Sequence, residues 1–495
     1  MTLTSPLFLF AFLPIIVILY SLLDRRWRNI LIALASLGFY IFGDPAATLL
    51  LLILVLVNWG FGLGISRLKE AGRPARWLAA VAISLDLLAL GYYKYAAFLV
   101  SILNVPLIFA GILPLPAPSM ITVLGISFIT FTAVSYIVDI LRGDAVAYNN
   151  PTYTFSFIAL FPKVIAGPIT TFKSLAGQVL KREWSAGQAL SGGARFILGL
   201  AKKVIIADTI GTAVNQIFSL PAGQLTPAVA WIGAIGYTLQ LYFDFSGYSD
   251  MAIGLGRVFG FTFMENFNYP YISTSVREFW RRWHMSLTKW FREYLYIPLG
   301  GNRAGRLRTY GNLMTVFLLC GLWHGANWTF IVWGAWHGLF LILERLPLVN
   351  RLDRAVFRPG ARNTFIFMPL KYVYTMLVVI LGWVMFRSGS VTQALEFLRA
   401  MFGCGNAAAL AMPVWYMSNS VVIAMLLAVI LSWPLAPRLL AGFRGLTDTV
   451  KSRMADTAGD TLAVAVSVII LLALLLLSLM MLTSRNFQPF IYAQF

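Results

Sequence analysis

Of 495 residues, 59% are hydrophobic and only 12% charged, where a soluble domain carries about 25% charged residues. So few charges cannot clothe a soluble surface of this size, and a mean hydropathy of +0.78 places the chain among all-α polytopic membrane proteins. The 38 Lys and Arg against 19 Asp and Glu leave +19, but no soluble domain gathers those cations, which excludes nucleic acid as a partner.

A helical span needs roughly 20 mostly apolar residues. Candidate runs lie near 7–23, 28–43, 46–65, 76–101, 120–140, 151–169, 189–213, 226–262, 310–343, 365–386, 420–436 and 460–482. The run 226–262 is too long for one simple span and is expected to bend, break or form two pieces. The expectation is about 11 transmembrane helices plus re-entrant or interfacial helices. With no repeat and no low-complexity linker, residues 1–495 read as a single membrane domain with a catalytic core near 120–345. Met1–Phe10 lacks a basic region before its apolar run, so it reads as a retained span.

Orientation follows from the asymmetry of Lys and Arg in short loops. Arg25, Arg26 and Arg28 follow the first run, and Arg67, Lys69, Arg73 and Arg76 the third, whereas Gly43–Ala46 and Ile102–Ser119 hold no Lys or Arg. The N-terminus is therefore expected outside the cytoplasm. Most of the excess charge is a topology signal. Two stretches exceed it: Lys173, Lys181, Arg182, Arg195, Lys202 and Lys203; and Arg277, Arg281, Arg282, Lys289, Arg292, Arg303, Arg306 and Arg308. The second suits anionic lipid head groups and, equally, the phosphates of a nucleotide or coenzyme A.

Between Arg277 and Arg292, apolar residues at 279, 280, 283, 287, 290 and 291 predict one amphipathic helix. It should lie at the cytoplasmic interface, with His284 mid-helix, and end at the Pro and paired Gly of 296–302. All three histidines, His284, His324 and His337, fall within this part of the chain. His324 lies in Leu322-Trp323-His324-Gly325-Ala326-Asn327-Trp328, inside an apolar run where an ionisable group defaults to function. A neutral imidazole there is a competent general base. Asn327, three residues on, is expected to share its face and orient the ring or donate to an oxyanion. His337 is 13 positions from His324, about 220° around a straight helix, and reads as structural.

Zinc wants three or four ligands at suitable spacing, and neither a Cys pair nor a His-x-x-x-His accompanies these residues, so no metal is expected. The two cysteines, Cys320 and Cys404, exclude a disulfide framework. Cys320 lies four residues before His324, where a thiol could carry an acyl group, but a small packing residue is the plainer reading. Asp86 and Lys94 are roughly 12 Å apart along a helix, too far to pair. They read as packing or anchoring residues, with Lys94 snorkelling to the interface.

The stretches FPKVIAGPIT (161–170), YFDFSGYSDMAIGLGRVFGF (242–261), 264–303, LWHGANWTFIVWGAWHG (322–338) and NFQPFIYAQF (486–495) resemble the membrane-bound O-acyltransferase superfamily. The resemblance is to its bacterial polysaccharide branch, which contains alginate O-acetylase. It implies a ring of membrane helices around a central tunnel, with the acyl donor entering from the cytoplasm and the acceptor from outside. It makes His324 the catalytic residue and His284 the second polar residue of the active site.

The expected function is transfer of acetyl from cytoplasmic acetyl-CoA for O-acetylation of an extracytoplasmic polysaccharide, with His324 as base and no bound cofactor. Donor positioning or oxyanion stabilisation falls to Asn327, Trp323 and Trp328, and CoA phosphate binding to Arg277, Arg281, Arg282, Lys289, Arg292 and Arg303. The expected setting is the bacterial inner membrane, with its lipids and an SGNH-type periplasmic acetyltransferase as partners. The competing readings are a transporter or flippase with no acyl chemistry, or a lipid or protein acyltransferase of the same superfamily.

Overall fold

The computed structural model describes all residues except 119–122, 124, 304, 350–361, 406–410, 436–455, 485–489 and 492–495. The described residues form helices and connecting segments, with no strand among them. The start of the expected run at 120 and most of the 486–495 stretch lie outside the described residues; Phe490 and Ile491 of that stretch are buried.

The first helices are α1 (Leu13–Leu22), α2 (Arg25–Gly43), α3 (Pro45–Glu70) and α4 (Arg76–Leu90). A π-helical turn, Gly91–Tyr95, joins α4 to α5 (Ala96–Phe109) without a break. α6 (Ile126–Arg142) is buried along nearly its whole length. Of the expected run 151–169, only α7 (Pro151–Ile158) is a helix; the segment to Thr171 is a buried loop before α8 (Phe172–Leu180). Then follow α9 (Ala186–Ala201), α10 (Asp208–Phe218) and α11 (Pro227–Val258).

α11 corrects the expectation of a break or two pieces: it is one continuous 32-residue helix. Its glycines explain why it can run on inside the protein. A Cβ on Gly247 or Gly254 would meet the carbonyl oxygen of Gly199 or Gly192, and the reverse holds from α9. The two backbones touch along matched small faces, the usual device for close helix pairs in membranes.

The site region consists of α12 (Val276–Arg282), α13 (Met285–Phe291), α14 (Arg306–His324) and α15 (Trp328–Leu343), followed by α16 (Arg362–Arg387). α17 (Val391–Met401), α18 (Asn419–Leu431) and α19 (Asp456–Ser484) complete the described helices. Pro45–Glu70, Arg76–Phe109, Met368–Arg387 and Ala465–Ser484 are each long and apolar enough to cross a membrane. Exposed Leu, Ile and Phe side chains cover the outer faces of these helices, as a lipid-facing surface requires. The chain is an integral membrane protein.

Candidate active site

The candidate run 310–343 is two helices. α14 stops at His324 because Gly325 is extended, and Asn327 starts α15 by accepting the Thr329 N–H at 3.1 Å. The two helices pack face to face through glycine. A Cβ on Gly321 would strike the Phe330 carbonyl, and one on Gly334 the Phe317 carbonyl. His324 and His337 therefore sit on different helices, on either side of Trp333, at centroid separations of 5.1 and 5.2 Å.

The amphipathic helix expected from Arg277 to Arg292 is also two helices, and its apolar face packs against the rest of the protein. Phe279, Trp280, Trp283, Leu287, Trp290 and Phe291 are all buried within the protein. The break falls at His284, whose φ of 44° and ψ of 53° are left-handed, a conformation that costs a non-glycine residue roughly 1–2 kcal/mol. Asn266 holds it there. Its backbone carbonyl accepts the Met285 N–H at 2.9 Å. Its Oδ1 accepts from the Ser286 N–H and hydroxyl at 3.2 and 2.8 Å, and its Nδ2 donates to Ser249 Oγ at 3.1 Å. The expected stop is found: the helical turns end at Tyr296, and Pro298 to Arg303 form turns.

The two helix breaks bring His284 and His324 together, with ring centroids 6.5 Å apart. Both are buried, at 1% and 3% exposure. Trp323 touches both, at 6.0 Å from His284 and 4.8 Å from His324, and is backed by Phe128 and Phe131. Phe245 closes the His284 side at 4.7 Å, and Phe386 the His324 side at 5.2 Å. An aromatic box of this kind excludes water and strengthens every charge interaction inside it. His337 stands outside this pair among Trp280, Trp333 and Trp383, the packing role expected of it.

Asn327 does not share a helix face with His324. Its Nδ2 donates to the Gly389 carbonyl at 2.9 Å while its Oδ1 caps α15, so the amide is engaged at both ends. Trp328 is 52% exposed and meets Phe98 at 5.7 Å, on the outside. The indole N–H groups of Trp323 and Trp333 are buried with no acceptor among the described residues. Cys320 is buried one turn before His324.

The expected phosphate-binding cations divide. Arg282 bonds Glu278 and the Asn268 carbonyl, and Arg277 bonds the Glu344 carbonyl, while the Glu344 carboxylate accepts the Val276 and Arg277 N–H groups. Arg281, Lys289, Arg292 and Arg303 are exposed. Arg277 also lines a cavity of about 500 Å³ with Thr274, Ser275, Glu344, Lys371 and Tyr374. The first basic stretch is different, because carboxylates occupy it. Arg195 bonds Asp250 and Glu265, Lys202 bonds Asp250, and Lys203 bonds Asp208 and Asp244. Lys173 lies 2.9 Å from Glu293, and that hydrogen bond holds the lysine ammonium above its ordinary range.

Lys94 does not snorkel outward. It turns inward, and its Nζ donates to the Trp323 carbonyl at 2.6 Å, the His324 carbonyl at 3.4 Å and Ser127 Oγ at 3.1 Å. Its place inside an apolar run was a signal of function; its partners, more than 200 residues away, left no trace in local pattern. Asn266 carried no signal at all.

A buried imidazole pair where two helices are broken defines a water-poor site suited to acid–base chemistry. Residues 119–399 match the MBOAT, membrane-bound O-acyltransferase family. The chain is 46% identical over 407 residues to the probable alginate O-acetylase AlgI of Pseudomonas aeruginosa, covering 82% of this chain and 76% of that protein. It is 40% identical to the protein of the same name from Azotobacter vinelandii over the full length of both. It is 35% identical to the peptidoglycan O-acetyltransferase of Helicobacter pylori, covering 81% of this chain and 79% of that one. The chain belongs to the membrane-bound O-acyltransferase family, in its polysaccharide O-acetyltransferase branch.

Proposed function

We propose that this enzyme moves an acetyl group from cytoplasmic acetyl-CoA to hydroxyls of an extracytoplasmic polysaccharide, with His324 as general base. The observation that carries the reading is the buried His284–His324 pair at two helix breaks. Relatives named as alginate and peptidoglycan O-acetylating proteins support the acceptor class. His324 takes the acceptor hydroxyl proton as the oxygen attacks the thioester carbonyl. The tetrahedral intermediate then collapses, the C–S bond breaks, and the imidazolium returns the proton to the departing thiolate. Since Asn327 is engaged elsewhere, the developing oxyanion falls to His284 and to the indole N–H groups of Trp323 and Trp333.

The donor phosphates are assigned to Arg277 and the exposed Arg281, Lys289, Arg292 and Arg303. Arg277 lines the cavity and lies on α12, the helix that ends two residues before His284. The location is the bacterial inner membrane with the N-terminus on the periplasmic side, and an SGNH-type periplasmic acetyltransferase acts with this protein in acetylating the polymer. The test is a deletion strain complemented with wild type or His324→Ala, with polymer O-acetyl content read by NMR. Wild type restores acetylation and His324→Ala, inserted at equal level, does not; restoration by His324→Ala would overturn the assignment.

A further inference from the structure

We propose that Lys94 is a positioning residue for acetyl transfer: its ammonium fixes the C-terminal end of α14, and with it the His324 side chain, from a helix that lies outside the region matching the family. The inference rests on His324 being the base, as proposed above.

The last carbonyls of any α-helix lack partners within the helix, and away from water an unsatisfied carbonyl is strongly disfavoured. α14 ends inside the protein and has no left-handed glycine cap, since Gly325 is extended at φ −167°. Its terminal carbonyls are satisfied from elsewhere. Tyr95 Oη donates to the Leu322 carbonyl at 3.0 Å, and Lys94 takes the next two, those of Trp323 and His324. Ser127 Oγ, on α6, accepts from the same amine. Lys94 thus ties three elements at one point, and the point is the backbone of the catalytic residue.

The backbone around Lys94 is shaped for this contact. Residues Gly91–Tyr95 form a π-helical turn in an otherwise α-helical stretch from Arg76 to Phe109. Such turns often mark functional sites, and here the extra residue sets Lys94 and Tyr95 against the end of α14. A charged donor on a carbonyl is stronger than a neutral one, and Nζ also lies 5.9 Å from the Trp323 ring centroid, within cation–π range. The cation therefore orients both Trp323 and His324, which face His284 across the box.

The test uses the deletion strain carrying wild type, His324→Ala, Lys94→Met, Lys94→Gln or Lys94→Arg. Polymer O-acetyl is normalised to membrane-inserted protein, and thermal unfolding is read on each purified variant. Lys94→Met removes every donor at similar length and is expected to lose about tenfold or more in activity per inserted protein, the scale on which a misplaced catalytic group falls, with its unfolding temperature lowered because the Trp323 and His324 carbonyls lose their donor. Lys94→Gln keeps a neutral donor and is expected to stay well below wild type, while Lys94→Arg restores charge and recovers a substantial part of the activity. Wild-type activity in an inserted Lys94→Met or Lys94→Gln overturns the proposal, as does failure of Lys94→Arg to recover anything. Failure of all three Lys94 variants to insert makes the lysine a folding determinant and also overturns it. An active His324→Ala would instead bring down the base assignment, whatever Lys94 does.

Discussion

His284 shows most clearly how one residue carries both strain and chemistry. A left-handed histidine is strained, and strained residues held by surrounding bonds cluster at functional sites. Glycine has no Cβ penalty in that conformation. His284→Gly is therefore expected to be more stable than His284→Ala by about 1 kcal/mol, while both variants lose acetyl transfer. Thermal unfolding of the two purified proteins, beside the activity of each, checks this; equal stabilities would remove the strain. The sequence singled out His324 as an ionisable residue in an apolar run and His284 as a histidine within a basic amphipathic stretch, and the structure brings the two rings together. The local geometry of His284 was not legible in the sequence. Trp283, Leu287 and Phe291 keep a helical period straight through it, and the break is imposed by Asn266, far enough upstream that periodicity carries no record of it. Asn327 failed for the opposite reason. Its three-residue spacing assumed a helix that Gly325 interrupts, and at a helix start an Asn side chain caps the backbone.

Helix pairs that approach through glycine hold the site at the scale of elements. α14 and α15 meet at Gly321 and Gly334, where any side chain would collide with backbone of the partner helix. Backbone cannot yield as a side-chain tip can. Gly321→Ala is expected to destabilise by about 1–3 kcal/mol, the range for overpacking, and to lower activity by shifting His324 relative to Trp333. Thermal unfolding and polymer acetylation measure the two effects; an unshifted unfolding temperature would show that the crossing tolerates a methyl group. The same device on α9 and α11 explains why α11 is one long helix although its length read as a break or two pieces. Length alone argued for a break, whereas the glycines that let it pack closely inside the protein act only through a partner helix.

Across the whole molecule, the +19 charge separates into kinds that the sequence mixed. Lys173, Arg195, Lys202 and Lys203 are matched by carboxylates from other elements, so that basic stretch is architecture. The cations of Arg25–Arg28 and Arg67–Arg76 are the ones from which an outside N-terminus is proposed. With Cys404 changed to Ala, leaving only the buried Cys320, Ala71→Cys is expected to react with a membrane-impermeant maleimide only after the inner membrane is permeabilised. Ala117→Cys, in a stretch without Lys or Arg, is expected to react in intact cells; the reverse labelling would invert the topology. Arg281, Lys289, Arg292 and Arg303 remain exposed. The measurement that bears most directly on the central claim is thioester cleavage by the purified protein in nanodiscs, with acetyl-CoA, a polysaccharide acceptor and the periplasmic partner present. Wild type is expected to release coenzyme A, and His324→Ala, folded to the same unfolding temperature, to be slower by about a hundredfold or more, as loss of a general base requires. Coenzyme A release at the wild-type rate from His324→Ala would contradict the account.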